Sequence, residues 1–349
     1  MMDYRLFRKL FFNFDPEKTH DIILRMMQEK SFQFLARKLF GSMEYHDERL
    51  KQKLFDGEFS NPIGLAAGFD KNAQIVSIID RFGFGYAEVG TVTKFQQNGN
   101  EKPRLFRFAE EKSLQNNMGF NNLGSDFIAS NLSRSDIKIP IGISIGKSKD
   151  TDLGKAIDDY IYLVRKLEKY ATYLQVNVSS PNTKGLRDLE NPYFVQELFG
   201  AAKSITKKPM LLKIDPDIDA KAALEVCSMA IDNGANGIIA TNTSKDYSLL
   251  KHPKDFGGIS GRAVTKKSMA MLKVLANEFL GQTILVSVGG IDSADEAYER
   301  ILNGASLLQI YTSFIFEGPT IARKINEGIA SRLEKDGYGN IADAVGASI

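Results

Sequence analysis

The 349 residues are 43% hydrophobic and 25% charged, enough for a large core and about a hundred residues more than an ordinary (β/α)8 barrel requires. Lysine and arginine (45) nearly balance aspartate and glutamate (43), which excludes the broad positive field that holds nucleic acid by its phosphates, so no such partner is expected. Cys227 is the only cysteine; that excludes an internal disulfide, argues against structural zinc or an iron–sulfur cluster, and leaves no metal expected.

The first ten residues mix Arg5, Arg8 and Lys9 with apolar residues and do not resemble a secretory signal. The longest uncharged stretch, 301–316, is shorter than the roughly 20 residues that span a bilayer. Phe7, Leu10, Phe11 and Phe14 fall on one helical face, and Asp15-Pro16 offers a cap and first-turn proline for a second helix bearing Ile22, Ile23, Met26 and Met27. A helical hairpin over 1–45 ahead of a barrel over 46–349 is therefore expected. Phe32, Phe34, Leu35, Leu39 and Phe40 add apolar surface flanked by Arg25, Lys30, Arg37 and Lys38, the mixture of an element lying in a membrane interface. Docking of these stripes on the barrel is the plainer alternative.

Eight short apolar runs follow, each closing in polar or glycine residues: 63–69, 86–93, 141–146, 173–180, 209–214, 237–243, 283–290 and 306–312. Continuous rather than alternating hydrophobicity marks strands buried on both faces, as in a parallel sheet, and eight of them imply closure into a (β/α)8 TIM barrel. Between them Ile75, Ile78, Ile79 and Phe82, then Ile157, Tyr160, Ile161 and Val164, then Ala270, Val274 and Leu275 repeat at helical spacing. An open doubly wound sheet is the weaker alternative, lacking a Gly-x-Gly-x-x-Gly fingerprint. The polar insertion 94–122 reads as a lid or substrate loop.

In such a barrel the chemistry sits at the C-terminal strand ends. None of His20, His46 and His252 closes a strand, so a histidine base is not expected, and Cys227 lies inside a helical pattern as a small apolar residue. Gly289-Gly290 after the seventh strand and Tyr311-Thr312 after the eighth suit a phosphate, with a helix starting near Ser293. Lys213 lies inside an apolar run and needs an anionic partner, such as a flavin edge that gains charge on reduction or, alternatively, a Schiff-base substrate. Alternation puts Asn177 and Ser179 on one face, and the bend before Pro181 can swing Ser180 over the mouth.

Together the segments NPIGLAAGFDKN, GTVT, KPRLFR, NNMGFNN, IGKSKDT, VNVSSPNT, TNTS, GGISGRAV, VGGI and QIYTSFIF, spread from Asn61 to Phe316, resemble the dihydroorotate dehydrogenases. The resemblance implies one FMN per chain. Ala67, Gly68, Phe69, Asp70 and Lys71 would line the flavin. Thr91, Ser144, Asn177, Lys213 and Thr241 would lie at its ring system, and Gly261, Gly290, Tyr311 and Thr312 at its ribityl and phosphate. Dihydroorotate would be held by Lys71, Asn116, Asn117, Met118, Gly119, Phe120, Asn177, Asn182, Asn242 and Thr243. Soluble members use a cysteine base in the strand-four loop and membrane-associated members a serine; here it is Ser180.

The same resemblance makes the N-terminal hairpin a quinone tunnel, with His20, Arg107 and Tyr311 on the quinone side. It implies oxidation of dihydroorotate to orotate in pyrimidine biosynthesis by a monomer bound peripherally at the cytoplasmic face of the inner membrane. Asn117 and Ser144 depart from the family's usual Arg and Asn. Since every residue assigned to dihydroorotate follows Asn61, the first forty residues are expected to be dispensable for that half of the reaction.

Overall fold

The structure is a computed structural model that describes residues 4–349. Three helices open the chain where a two-helix hairpin was expected: α1 (Tyr4–Phe11), α2 (Pro16–Gln28) and α3 (Lys30–Phe40). Asp15 caps α2, its Oδ1 accepting the Lys18 N–H at 2.8 Å. Glu29 ends that helix by adopting extended geometry (φ −80°, ψ 125°), so the apolar run beyond it forms a helix of its own. Tyr4 donates from its hydroxyl to the Ile315 carbonyl at 3.0 Å, and Arg8 Nη1 donates to that of Phe316 at 2.7 Å.

Leu24, Met27 and Ala36 are buried in this union. The outward faces remain apolar: Leu6, Leu10, Phe14, Ile22, Met26, Phe34 and Leu35 are seven of the fifteen large exposed hydrophobic residues among those described. Arg25, Lys30, Arg37 and Lys38 are exposed around them. Among the described residues no helix is long and apolar enough to cross a membrane.

An unforeseen hairpin, β1 (Gln52–Leu54) and β2 (Gly57–Phe59), stacks Phe59 on Tyr86, ring centroids 5.4 Å apart. The eight expected runs then supply the parallel strands of a closed barrel: β3 (Ile63–Asp70), β4 (Tyr86–Val92), β7 (Ile141–Ile145), β8 (Tyr173–Asn177), β9 (Met210–Ile214), β10 (Gly237–Ala240), β12 (Ile284–Val288) and β13 (Leu307–Ile310). Inside, small and large residues alternate around the ring: Gly64 pairs with Tyr86 and Gly142 with Tyr173. A Cβ on either glycine would lie within 2.4 Å of the tyrosine ring, so the aromatic side chains fill the space that glycine leaves.

Helices α4 (Gly124–Arg134), α5 (Ala156–Leu167), α6 (Pro192–Lys203), α7 (Ala220–Asp232), α8 (Thr265–Phe279), α9 (Ala294–Leu302), α10 (Thr312–Glu317), α11 (Ile321–Asp336) and α12 (Ile341–Ala344) complete the chain. The buried stripe of α5 includes Tyr160 and Val164 as expected. That of α8 runs through Ser268, Met271, Leu272, Leu275 and Ala276, so Leu275 is buried whereas Ala270 faces outward.

One expectation is corrected. After β3 no α-helix forms, only a 3-10 turn at Ile79–Phe82: Asp70 takes the backbone N–H groups of Gln74 and Ile75 at 2.8 Å each, and Ala73 sits at φ +55°. Ile75, Ile78, Ile79 and Phe82 are nevertheless all buried. The insertion 94–122 lies over the barrel's C-terminal end and carries two strands, β5 (Leu105–Phe108) and β6 (Ser113–Asn116), which join β11 (Gly258–Gly261) in an antiparallel sheet.

Candidate active site at the barrel mouth

The C-terminal strand ends enclose a cavity of about 160 Å³. Ala67, Gly68 and Lys71 reach it from β3, Thr91 from β4, Asn177 and Ser180 from β8, Lys213 from β9, Thr241 to Thr243 from β10, and Tyr311 from β13. The antiparallel sheet roofs it with Asn116 and the Met118–Phe120 turn. Register aligns Asn177 with Lys213 across β8 and β9, so an amide and a cation share one level of the barrel.

A chain of side-chain hydrogen bonds fixes these groups. Asn242 Nδ2 donates to Asn177 Oδ1 at 3.2 Å and to Ser179 Oγ at 3.1 Å, while Asn177 Nδ2 donates to Thr91 Oγ1 at 2.9 Å. Ser179 Oγ donates to the Lys213 carbonyl at 2.6 Å, binding neighbouring strands. Ser180 is 6% exposed, and its Oγ accepts the Asn182 N–H at 3.3 Å. Asn182 Nδ2 in turn donates to Asn116 Oδ1 at 2.9 Å. Three buried oxygens of residues lining the mouth, Asn121 Oδ1, Asn182 Oδ1 and Thr243 Oγ1, have no partner among the described residues. Leaving them so in a dry site costs about 1–3 kcal/mol each, which a polar ligand would relieve.

Burial depresses the Lys213 ammonium pKa against the opposing pull of Glu88. Lys71, half-buried, is lowered for the same reason, with Asp21 and Glu17 opposing. A cation so placed gains most from an anion brought into the site.

Beside the mouth, sharing Ser260, Val288, Gly289 and Tyr311 with it, lies a smaller cavity of about 50 Å³ walled by Gly261, Gly289, Gly290 and Thr312. Gly290 is at φ +82°, and a Cβ there would meet Thr265 Oγ1 at 2.1 Å. Only glycine permits this backbone path, which brings main-chain groups against whatever enters. Ser293 caps α9 by accepting the Glu296 N–H at 3.2 Å.

On the other side of the roof, α1, α2 and α3 enclose an apolar cavity of about 280 Å³ with Phe69, Phe82 and Phe314. Leu105 and Leu114 line both this cavity and the mouth, so only the width of the β5–β6 hairpin separates them. His20 and Arg107 are among its few polar groups. His20 Nε2 lies 2.9 Å from the Phe69 carbonyl and must carry the hydrogen to bond it. Burial, aided by Lys71, pushes its pKa down to about 3, so the imidazole is neutral. Arg107 Nη1 donates to the Phe14 carbonyl at 2.9 Å, and its guanidinium lies 4.6 Å from the Phe12 ring centroid.

The sequence profile described as "Dihydroorotate dehydrogenase" matches residues 49–333, most of the chain. The chain belongs to the dihydroorotate dehydrogenase family. It is 50% identical to the "Dihydroorotate dehydrogenase (quinone)" of a Nitratiruptor species and 47% identical to that of Helicobacter acinonychis (strain Sheeba), in each case over 100% of both chains. The crystal structure of the ligand-free DHODH from Eimeria tenella is similar with a TM-score of 0.84 and 33% identity, covering 95% of this chain and 99% of that one.

Within this dihydroorotate dehydrogenase fold, most residues expected at the flavin or the substrate gather in the mouth or its glycine-walled annex, but four do not. Phe69 turns into the apolar cavity. Asp70 is occupied in capping the turn after β3. Ser144 stands behind Thr91, their hydroxyls 2.8 Å apart. Asn117 faces Asn100, whose Nδ2 donates to it at 2.9 Å. Tyr311 lines the mouth rather than the apolar cavity, its hydroxyl 3.4 Å from the Gly68 carbonyl and its ring 5.4 Å from that of Phe69.

Sequence reading missed Arg187, which donates to the carbonyls of Ser179 at 3.1 Å and Thr243 at 2.9 Å and pairs with Asp215 at 2.6 Å. It also missed Asn100 and the buried pair Glu17–Arg104. The KPRLFR segment had drawn attention to Arg104's neighbourhood, but nothing local names its partner 87 positions away.

Proposed function

We propose that this protein oxidises dihydroorotate to orotate at the barrel mouth with FMN as its cofactor and passes the electrons to a quinone that enters through the apolar cavity. The observation that carries this reading is the adjacency of three spaces: a polar mouth with Ser180 and Lys213, a glycine-walled annex, and an apolar cavity behind Leu105 and Leu114. FMN fits the first two, because a phosphate suits the backbone cradle at Gly261 and Gly290, and a ring edge that gains negative charge suits the buried Lys213. When bound, FMN supplies the hydride-accepting and electron-relaying chemistry that side chains lack.

The protein's own residues bind, orient and move protons. Asn116, Asn177, Asn182 and Asn242 present both donors and acceptors to the dihydroorotate ring, and Lys71 supplies a cation for its carboxylate. Ser180 takes the proton from C5 as hydride leaves C6. Its hydroxyl, already an acceptor for Asn182 N–H, must release its own proton onward as it takes the one from C5, under a roof of β5 and β6 that limits access of bulk solvent. Neutral His20 and Arg107 would meet the quinone's polar head while the walls of α1 to α3 take its tail.

The apolar, lysine- and arginine-rimmed outer face of residues 4–40 supports peripheral attachment to the cytoplasmic face of the inner membrane, where quinone is dissolved. In this reading residues 1–45 form the access unit, 46–349 form the catalytic barrel, and the working unit is a monomer. Anaerobic addition of dihydroorotate should bleach the visible absorbance of the purified protein, and quinone should restore it. Unaltered absorbance after the first addition would refute the assignment.

A further inference from the structure

The roof between the two cavities is not held by the barrel alone. Glu17, on the first turn of α2, and Arg104, just before β5, are 7% and 5% exposed. Arg104 donates from Nε to Glu17 Oε2 at 3.0 Å and from Nη2 to Oε1 at 2.6 Å, the two-pronged geometry that fixes orientation as well as distance. Its remaining nitrogen, Nη1, donates to the carbonyls of Asn98 and Asn100, both at 2.6 Å. Asn100 Nδ2 then donates to the Asn182 carbonyl at 2.9 Å, and the Asn182 N–H donates to Ser180 Oγ at 3.3 Å. An unbroken path of polar contacts thus runs from a helix of the apolar cavity to the proposed base. Thr19 and His20, a few residues along α2 from Glu17, line that cavity.

We propose that the buried Glu17–Arg104 pair is a positioning device that couples the N-terminal helices, and so the state of the apolar cavity, to the seating of Ser180 and Asn182. Neither residue lines the mouth; the hydrogen-bonded route from the pair runs through Asn100, beside the charge of Glu17 that bears on Lys71. The inference rests on Ser180 being the base, and it replaces the expectation that the first forty residues are dispensable for substrate oxidation, since Glu17 lies among them. Coupling of this kind is reciprocal. A quinone analogue that shifts α2 changes orotate affinity, and orotate changes the analogue's affinity by the same factor.

Two flavin-loaded variants test the device. Glu17→Gln keeps the shape and removes the charge, while Arg104→Lys keeps the charge and removes the fork. Both are expected to weaken orotate binding and raise the KM for dihydroorotate by about 5-fold or more. Hydrogen exchange should accelerate at 98–104 and also at 180–186, with flavin content unchanged. A variant that melts earlier but binds orotate like the wild type, with faster exchange confined to 98–104, would reduce the pair to a local brace and overturn the proposal. The exchange and orotate-binding measurements need no turnover. A wild-type protein that dihydroorotate fails to reduce would therefore count against the proposed function, while those two measurements still decide the coupling.

Discussion

Replacing Ser180 by alanine separates the chemical role of its hydroxyl from its structural one, because the two differ widely in size. Among the described residues Ser180 Oγ has one hydrogen bond, from the Asn182 N–H at 3.3 Å. That is longer than a typical N–H to oxygen bond, so its loss costs about 1 kcal/mol or less. In a domain of this length such a change moves Tm by about 2 °C or less. A positioned base contributes about 10² to 10⁴ in rate, which at 1.36 kcal/mol per decade is about 2.7 to 5.4 kcal/mol of barrier. The variant should therefore melt almost normally and retain its flavin, while anaerobic stopped-flow shows reduction by dihydroorotate slowed by about 100-fold or more. Ser180→Cys should recover part of that loss. A reduction rate for the alanine variant equal to wild type would remove the serine from proton transfer.

Lys213→Met should loosen flavin and lower its reduction potential, because a buried cation with only Glu88 opposite it no longer stabilises the reduced ring; an unchanged potential would make the lysine structural. Leu6→Asp combined with Phe34→Asp, at residues 64% and 71% exposed, should sharply reduce sedimentation with anionic vesicles and leave reduction by dihydroorotate intact. Equal sedimentation would refute the proposed membrane contact of this face. For Glu17, desolvation raises the pKa but the hydrogen bonds and charges of Arg104 and, after it, Lys102 together outweigh it, so the folded value lies below the ordinary 4.5. A depressed carboxylate adds stability that is fully present above 4.5 and is lost as pH falls through the folded value. The margin in Tm of wild type over Glu17→Gln should accordingly shrink on acidification through that window, and a constant margin would show that the charge is not its source.

The eight barrel strands were legible because burial on both faces writes itself into the chain as uninterrupted apolar runs, and their polar ends marked the mouth. What stayed hidden depends on partners distant in sequence. Strands β5 and β6 are short, and β5 is half-buried throughout; β6 is completed by β11, whose Gly258 pairs with Asn116. No local pattern announces that pairing. Likewise Phe69 and Asp70 could not be assigned to a face by counting alternate residues, because the register of β3 against β4 shifts between Leu65 and Asp70. Ser144 was expected at the flavin ring, but whether its hydroxyl reaches the mouth depended on its neighbour Thr91, whose hydroxyl lies 2.8 Å away.

The same hairpin that escaped sequence reading is where the two proposed half-reactions meet. Leu105 and Leu114 each line both cavities, so a quinone and the flavin would be separated by no more than this hairpin. A partition that thin has little rigidity of its own, and β5 and β6 have only β11 as a further sheet neighbour. It needs bracing from outside the sheet. Glu17 supplies that through Arg104, at the cost of desolvating both charges. A buried ion pair is often no more stabilising than well-packed apolar residues of the same volume. An apolar contact, however, would let the loop slide, whereas the two-pronged pair together with the Asn98 and Asn100 carbonyls fixes Arg104 in one orientation. Orientation matters here because Asn100 is one bond from Asn182 and two from Ser180, where a small displacement takes a base out of reach of its proton.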